Sequence, residues 1–117
     1  MQYQGGCQCG AVRFQVEVGL DRPVICNCSR CQKLGAVLVF APEAAFTLER
    51  GGEAQTEYLF NTGKIHHLFC KTCGIQSFSR ATGPDGTPMV AVNVNALEGV
   101  EPREIAARAH AVDGRAR

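Results

Sequence analysis

The chain has 117 residues, is 45% hydrophobic and carries a formal net charge of +1. That is the length of one domain, taken here as residues 1–117, and the near-neutral charge argues against a nucleic-acid binder, which needs a strong basic excess. No apolar run approaches the ~20 residues of a membrane span, and residues 1–6 have neither a basic n-region nor an apolar h-region, so the expected location is the cytoplasm, with no membrane partner.

The first clear element is a half-buried strand over residues 12–18, where Val12, Phe14, Val16 and Val18 alternate with Arg13, Gln15 and Glu17. Val24-Ile25 leads into a cysteine-rich loop that has to turn tightly, and Gln32-Lys33-Leu34-Gly35 reads as a turn. Residues 36–40 read as a buried strand, punctuated by Pro42-Glu43. Residues 46–49 and 55–59 flank Gly51-Gly52 and predict a hairpin. A turn is expected at 61–64, a strand at 65–69, its continuation at 76–80, and a strong turn at Gly83-Pro84-Asp85-Gly86. Val90, Val92 and Val94 alternate with Ala91 and Asn93 as another strand, and residues 102–109, with Pro near the first turn, favour a helix. Short strands separated by turn signals predict a mainly β fold.

Seven cysteines fall into clusters of two, three and two: Cys7 and Cys9; Cys26, Cys28 and Cys31; Cys70 and Cys73. In a reducing compartment such clusters read as metal or redox sites, and an odd count does not suit a disulfide framework. A closed structural zinc takes four protein ligands, and only the two outer pairs sum to four. Either pair alone also fits a redox dithiol or a buried structural pair, but the two together favour a shared zinc. The middle triplet then has three thiolates and one open position, the arrangement of catalytic zinc. The alternative is a second closed zinc whose fourth ligand is His66, His67 or His110. Two zinc ions per chain follow from either reading, and loading them with seven thiolates would bring the net charge to about −2. An open thiolate-bound zinc would take a small-molecule thiol or polarise a carbonyl. Arg30 and Lys33, close to the triplet, would attract an anionic thiol, against the plainer reading of solvated surface charge.

Gly6-Cys7-Gln8-Cys9-Gly10, Cys26-Asn27-Cys28-Ser29-Arg30-Cys31-Gln32-Lys33, Gly35 and Phe69-Cys70-Lys71-Thr72-Cys73-Gly74 together closely resemble the glutathione-dependent formaldehyde-activating enzyme family, which includes the centromere protein V type. The likeness runs through the tail, at residues 95–100 and 112–115. It implies an Mss4-like β fold of small antiparallel sheets around zinc sites. It also implies a structural zinc on Cys7, Cys9, Cys70 and Cys73, and a catalytic zinc on Cys26, Cys28 and Cys31. The position after Cys26 is often His in this family and is Asn27 here. The activity implied is that of a carbon–sulfur lyase acting on a thiol–aldehyde adduct, with glutathione plus formaldehyde, or a related pair, as partners. A non-catalytic zinc-binding interaction module and a redox or metal-buffering protein are the competing functions.

Overall fold

The computed structural model describes residues 1–59 and 63–116, with the backbone alone at residue 116. In chain order its elements are β1 (Gln2–Gly6), β2 (Arg13–Glu17), β3 (Val24–Cys26), α1 (Ser29–Leu34), β4 (Leu38–Pro42), β5 (Phe46–Arg50), β6 (Gln55–Tyr58), β7 (His66–Cys70), β8 (Phe78–Thr82), β9 (Pro88–Asn93), α2 (Pro102–Ala107) and β10 (His110–Val112). The fold is mainly β, as the pattern of short strands predicts. None of the described helices is long and apolar enough to cross a membrane. The turn expected at 61–64 falls partly on residues 61 and 62, outside the described residues.

The strands form two sheets. The smaller has the order β1-β2-β5, and the larger the order β10-β3-β4-β9-β8-β7-β6. All pairings are antiparallel except β10 on β3. The alternation of β2 buries Phe14 and Val16, as its sequence predicts. β9 is interior to the larger sheet, between β4 and β8, and buries four consecutive residues, from Val90 to Asn93, not only its valines. The turn at residues 83–86 closes the β8–β9 hairpin, with Gly83 N–H donating to Thr87 O.

Three expectations are corrected. The segments on either side of Gly51-Gly52 do not pair with each other: β5 joins β2 in the small sheet and β6 joins β7 in the large one. A single 3₁₀ turn over Gly52–Ala54 carries the chain from one sheet to the other, and Lys71 N–H fixes its end by donating to Ala54 O. Alternation identifies a strand but not its partner. The buried strand expected at 36–40 begins two residues later, and one face of it is open, since Val39 is buried while Phe40 is 49% exposed. Gln32 to Gly35 is not a turn but the body and cap of α1, treated below.

The two sheets meet at three rings. Phe14 from β2 and Phe46 from β5 stack at 5.1 Å, and Phe78 from β8 meets them at 5.9 and 4.7 Å. Offset and edge contacts of this kind add to the burial of the rings themselves. Phe14→Ala is therefore expected to cost ~3–5 kcal/mol, read from the denaturant midpoint. A loss under ~1 kcal/mol would show that the sheets do not depend on this contact.

Candidate metal centres and flanking clefts

The β1–β2 loop carries Cys7 and Cys9, β7 ends on Cys70, and the turn after it carries Cys73. That turn is a knuckle: Gly74 N–H donates to Cys70 O at 2.9 Å and Thr72 N–H points at Cys70 Sγ at 3.4 Å. Gly74 has a φ of +79°, and nothing lies within 4 Å of where its Cβ would be, so the backbone turn and not crowding asks for glycine there. The four sulfurs lie within 4.8 Å of one another, with Cys7–Cys9 at 3.7 Å and Cys9–Cys70 at 3.6 Å. A disulfide would need ~2.05 Å. Sulfurs placed ~2.3 Å from a tetrahedral zinc stand ~3.8 Å apart, close to the spacing found.

The ionisation of this group is uneven. The backbone N–H of Ile75, ahead of other hydrogen bonds, holds the Cys73 thiol down to about 6. The backbone of Ala11 lowers the Cys9 thiol, but the Cys70 sulfur, burial and the Cys7 and Cys73 sulfurs outweigh it and push it up to about 11. Four thiolates this close repel one another, and a cation is what would allow all four to ionise together. The donor set and its spacing thus fit zinc.

The triplet is built by β3 and α1. Cys26 ends β3, and Cys28 is the N-cap of α1, its sulfur accepting from Cys31 N–H at 3.4 Å. Cys28 and Cys31 are three apart on a helical turn, which sets them on one side. Cys28 N–H points at Cys26 Sγ at 3.4 Å, and the three sulfurs also lie within 4.8 Å of one another. Gly35 closes the helix by donating to Cys31 O. Burial, then the Cys28 and Cys26 sulfurs, pushes the Cys31 thiol up to about 12. Burial raises Cys28 too, but the N–H groups and thiols around it bring it down overall.

Among the described residues, no His, Asp or Glu atom joins the triplet's group. His66 pairs with Glu57 at 2.5 Å on the surface, and His110 is exposed at the start of β10. His67 is buried on the other face of β7, as the strand period requires, and its Nδ1 accepts from Gln76 Nε2 at 3.3 Å. A cleft of about 510 Å³ opens beside the triplet, lined by Cys26, Asn27, Cys31, Ala36, Val112 and Asp113 among others.

The chain's end forms one wall of this loop. β10 runs parallel to β3, pairing Val112 with Cys26, and so delivers the following turn to the triplet. Gly114 is buried there, and a Cβ on it would collide with Cys26 Sγ and meet Cys28 Cβ at 3.0 Å. Asn27 Oδ1 accepts from Gly114 N–H at 2.7 Å and from Arg115 N–H at 3.3 Å. Arg115 Nε in turn donates to Asn27 O at 2.9 Å, and its guanidinium also bonds Gln32 of α1. Asn27 is therefore a latch between the cysteine loop and the tail. Asn27→Ala strands the buried Gly114 N–H, so it is expected to cost ~1–3 kcal/mol and to speed amide hydrogen exchange at Gly114, whereas Arg115 N–H keeps Asp113 Oδ1 as an acceptor. Asn27→Asp keeps the acceptor and should keep the protection. Unchanged exchange in the alanine variant would show that β10 and the Arg115 side chain hold the tail without the Asn27 amide.

Sequence reading found all seven cysteines but missed Asn27's tie to Gly114 and Arg115, because β10 is three exposed residues with no pattern. It also missed Gln76. Gln76 Oε1 accepts from Arg30 Nε at 3.2 Å and from Arg30 Nη2 at 2.6 Å, so the buried amide fixes the guanidinium.

Two comparisons bear on this arrangement. The family model described as glutathione-dependent formaldehyde-activating enzyme matches residues 2–112. The crystal structure of a Rhodobacter sphaeroides protein is similar, with a TM-score of 0.83 and 35% sequence identity, over 93% of this chain and 99% of that one. The mainly β, Mss4-like architecture implied by the cysteine motifs is the one found. With the family model spanning nearly the whole chain and both cysteine groups assembled within it, the protein belongs to the glutathione-dependent formaldehyde-activating enzyme family.

Proposed function

We propose that the chain is a zinc-dependent enzyme that makes and breaks the carbon–sulfur bond of a thiol–aldehyde adduct, glutathione with formaldehyde or a closely related pair. The observation that carries this reading is the triplet: three sulfurs gathered beside an open cleft, with no fourth protein ligand atom in the group among the described residues. Cys26, Cys28 and Cys31 would hold the catalytic zinc, and Cys7, Cys9, Cys70 and Cys73 a structural one, within a single domain. Zinc at the triplet supplies Lewis acidity, which lowers the pKa of a thiol or polarises a carbonyl oxygen.

The chain's own residues supply position and shelter. The Asn27 latch fixes the tail against Cys26 and Cys28 and so would hold the loop in the shape that gathers the three sulfurs. The cleft walls, including Ala36 and Val112, offer an apolar setting for a small aldehyde. In the net reaction the thiol sulfur bonds to the aldehyde carbon, the carbonyl π bond breaks, and the thiol proton ends on the new hydroxyl; the reverse reaction cleaves the same bond. The test is exchange spectroscopy by NMR on an equilibrium mixture of glutathione, formaldehyde and their adduct. Zinc-loaded protein at micromolar concentration should raise the exchange rate well above that in buffer. A rate equal to buffer, with two zincs bound, would overturn the enzyme reading in favour of a zinc-binding interaction module.

A further inference from the structure

α1 is a ridge between two clefts. None of its residues is buried, and the cleft beside the triplet lies along the side that carries Cys31, Gln32 and Gly35. On the other side is a second cleft of about 560 Å³, lined by Ser29, Arg30, Lys33, Tyr58, Phe69 and neighbouring residues. Its chemistry differs from the first. The Arg30 guanidinium lies 4.9 Å from the centre of the Tyr58 ring and 5.8 Å from that of Phe69, over their faces. The buried Gln76 amide grips the Nε and Nη2 side of that guanidinium. Gln76 is itself oriented, because its Oε1 serves Arg30 and its Nε2 donates to the buried His67. Among the described residues no carboxylate pairs with Arg30 or Lys33. Two cations are thus placed on one wall of a cleft, one of them held rigidly by a buried chain of hydrogen bonds and flanked by aromatic faces. A guanidinium fixed in this way is preorganised for a carboxylate.

We propose that this second cleft binds a terminal carboxylate of the thiol substrate, with Arg30 as its specificity-determining contact and Lys33 as a supporting charge. The inference rests on the reading of the triplet as the site of the thiol. The two clefts share α1 as a common wall, which suits a ligand long enough to cross it. Arg30 lines one cleft and the adjacent Cys31 lines the other, so the short helix α1 is what separates them. On this proposal a tripeptide thiol with its sulfur at the triplet lays one carboxylate over the ridge. A small uncharged thiol would reach only the first cleft.

The test uses calorimetric titration of the zinc-loaded full chain with three probes: glutathione, its diethyl ester and S-methylglutathione. The ester keeps the thiol and loses the carboxylate charges; the S-methyl compound keeps the charges and loses the thiol. Wild type should bind glutathione at least about tenfold more tightly than the ester, the scale of one charge-assisted contact. Arg30→Gln should abolish that preference while leaving ester affinity within about twofold, and should weaken S-methylglutathione by the same factor as glutathione. Lys33→Gln, at an exposed position, should reduce the preference by a smaller factor and serves if Arg30→Gln does not fold. Equal affinity of wild type for glutathione and ester would overturn the proposal, as would equal weakening of both by Arg30→Gln. The reading of the triplet fails separately: S-methylglutathione would then bind as tightly as glutathione, with Arg30 still decisive.

Discussion

Cys70→Ser is expected to abolish cooperative folding at 37 °C. Cys70 has no exposed surface and sits in the main core as well as in the four-sulfur group. Its group joins the β1–β2 loop of the small sheet to the end of β7 in the large one, residues that are 61 apart for the Cys9–Cys70 contact. A structural zinc contributes an apparent ~10–16 kcal/mol to folding in small domains, against a total stability of ~5–15 kcal/mol for an ordinary domain. With zinc on the four sulfurs as proposed, weakening this site removes as much as the fold has to lose. Serine also sets a hydroxyl in place of a thiolate at a buried position, where a donor without a suitable partner is costly. The check is a thermal melt followed by circular dichroism, with zinc counted on the same sample. A variant that melts within a few degrees of wild type and keeps both zincs would refute a structural role for the group. Strong chelation of the wild-type protein should give the same loss of cooperativity without any substitution.

The features legible in the sequence were those carried by local pattern or by rare residues. The alternation in β2, the turn after β8 and the three cysteine clusters need no tertiary information, and each stands where the sequence reading places it. What escaped was set by pairing between distant segments. β1 reads as Gln-Tyr-Gln-Gly-Gly, with no alternation, and becomes a strand because β2 offers it an edge. β5 and β6 look like the two arms of a hairpin, yet their partners are β2 and β7. α1 has no apolar period because it buries nothing; its local signals were Lys33 in its last turn and Gly35 after it, and these also fit a turn. The odd triplet pointed to an incomplete metal site, but nothing in the spacing said that Asn27 would bind the tail or that Arg30 would turn away from the sulfurs toward Tyr58 and Phe69.

Cys31→Ser separates activity from folding, because the two cysteine groups lie in different parts of the fold. Cys31 is half-buried on α1, outside the hydrophobic core cluster, and unlike Cys28 it is not the residue whose side chain caps the helix. Its loss leaves the triplet with two sulfurs, one fewer than an open catalytic zinc site requires. Outer-shell partners alone are worth ~10–100-fold in metal affinity or activity, so removing a direct ligand should lower adduct exchange by at least ~100-fold. The protein should retain about one zinc per chain and a melting transition within a few degrees of wild type, since the four-sulfur group and the Phe14, Phe46 and Phe78 contact are untouched. The two variants thus predict opposite outcomes from the same pair of measurements, with Cys70→Ser losing the fold and Cys31→Ser keeping the fold and losing the chemistry. A Cys31→Ser protein that exchanges the adduct at the wild-type rate would exclude the triplet as the catalytic site, and one that unfolds like Cys70→Ser would show that the second metal is structural as well.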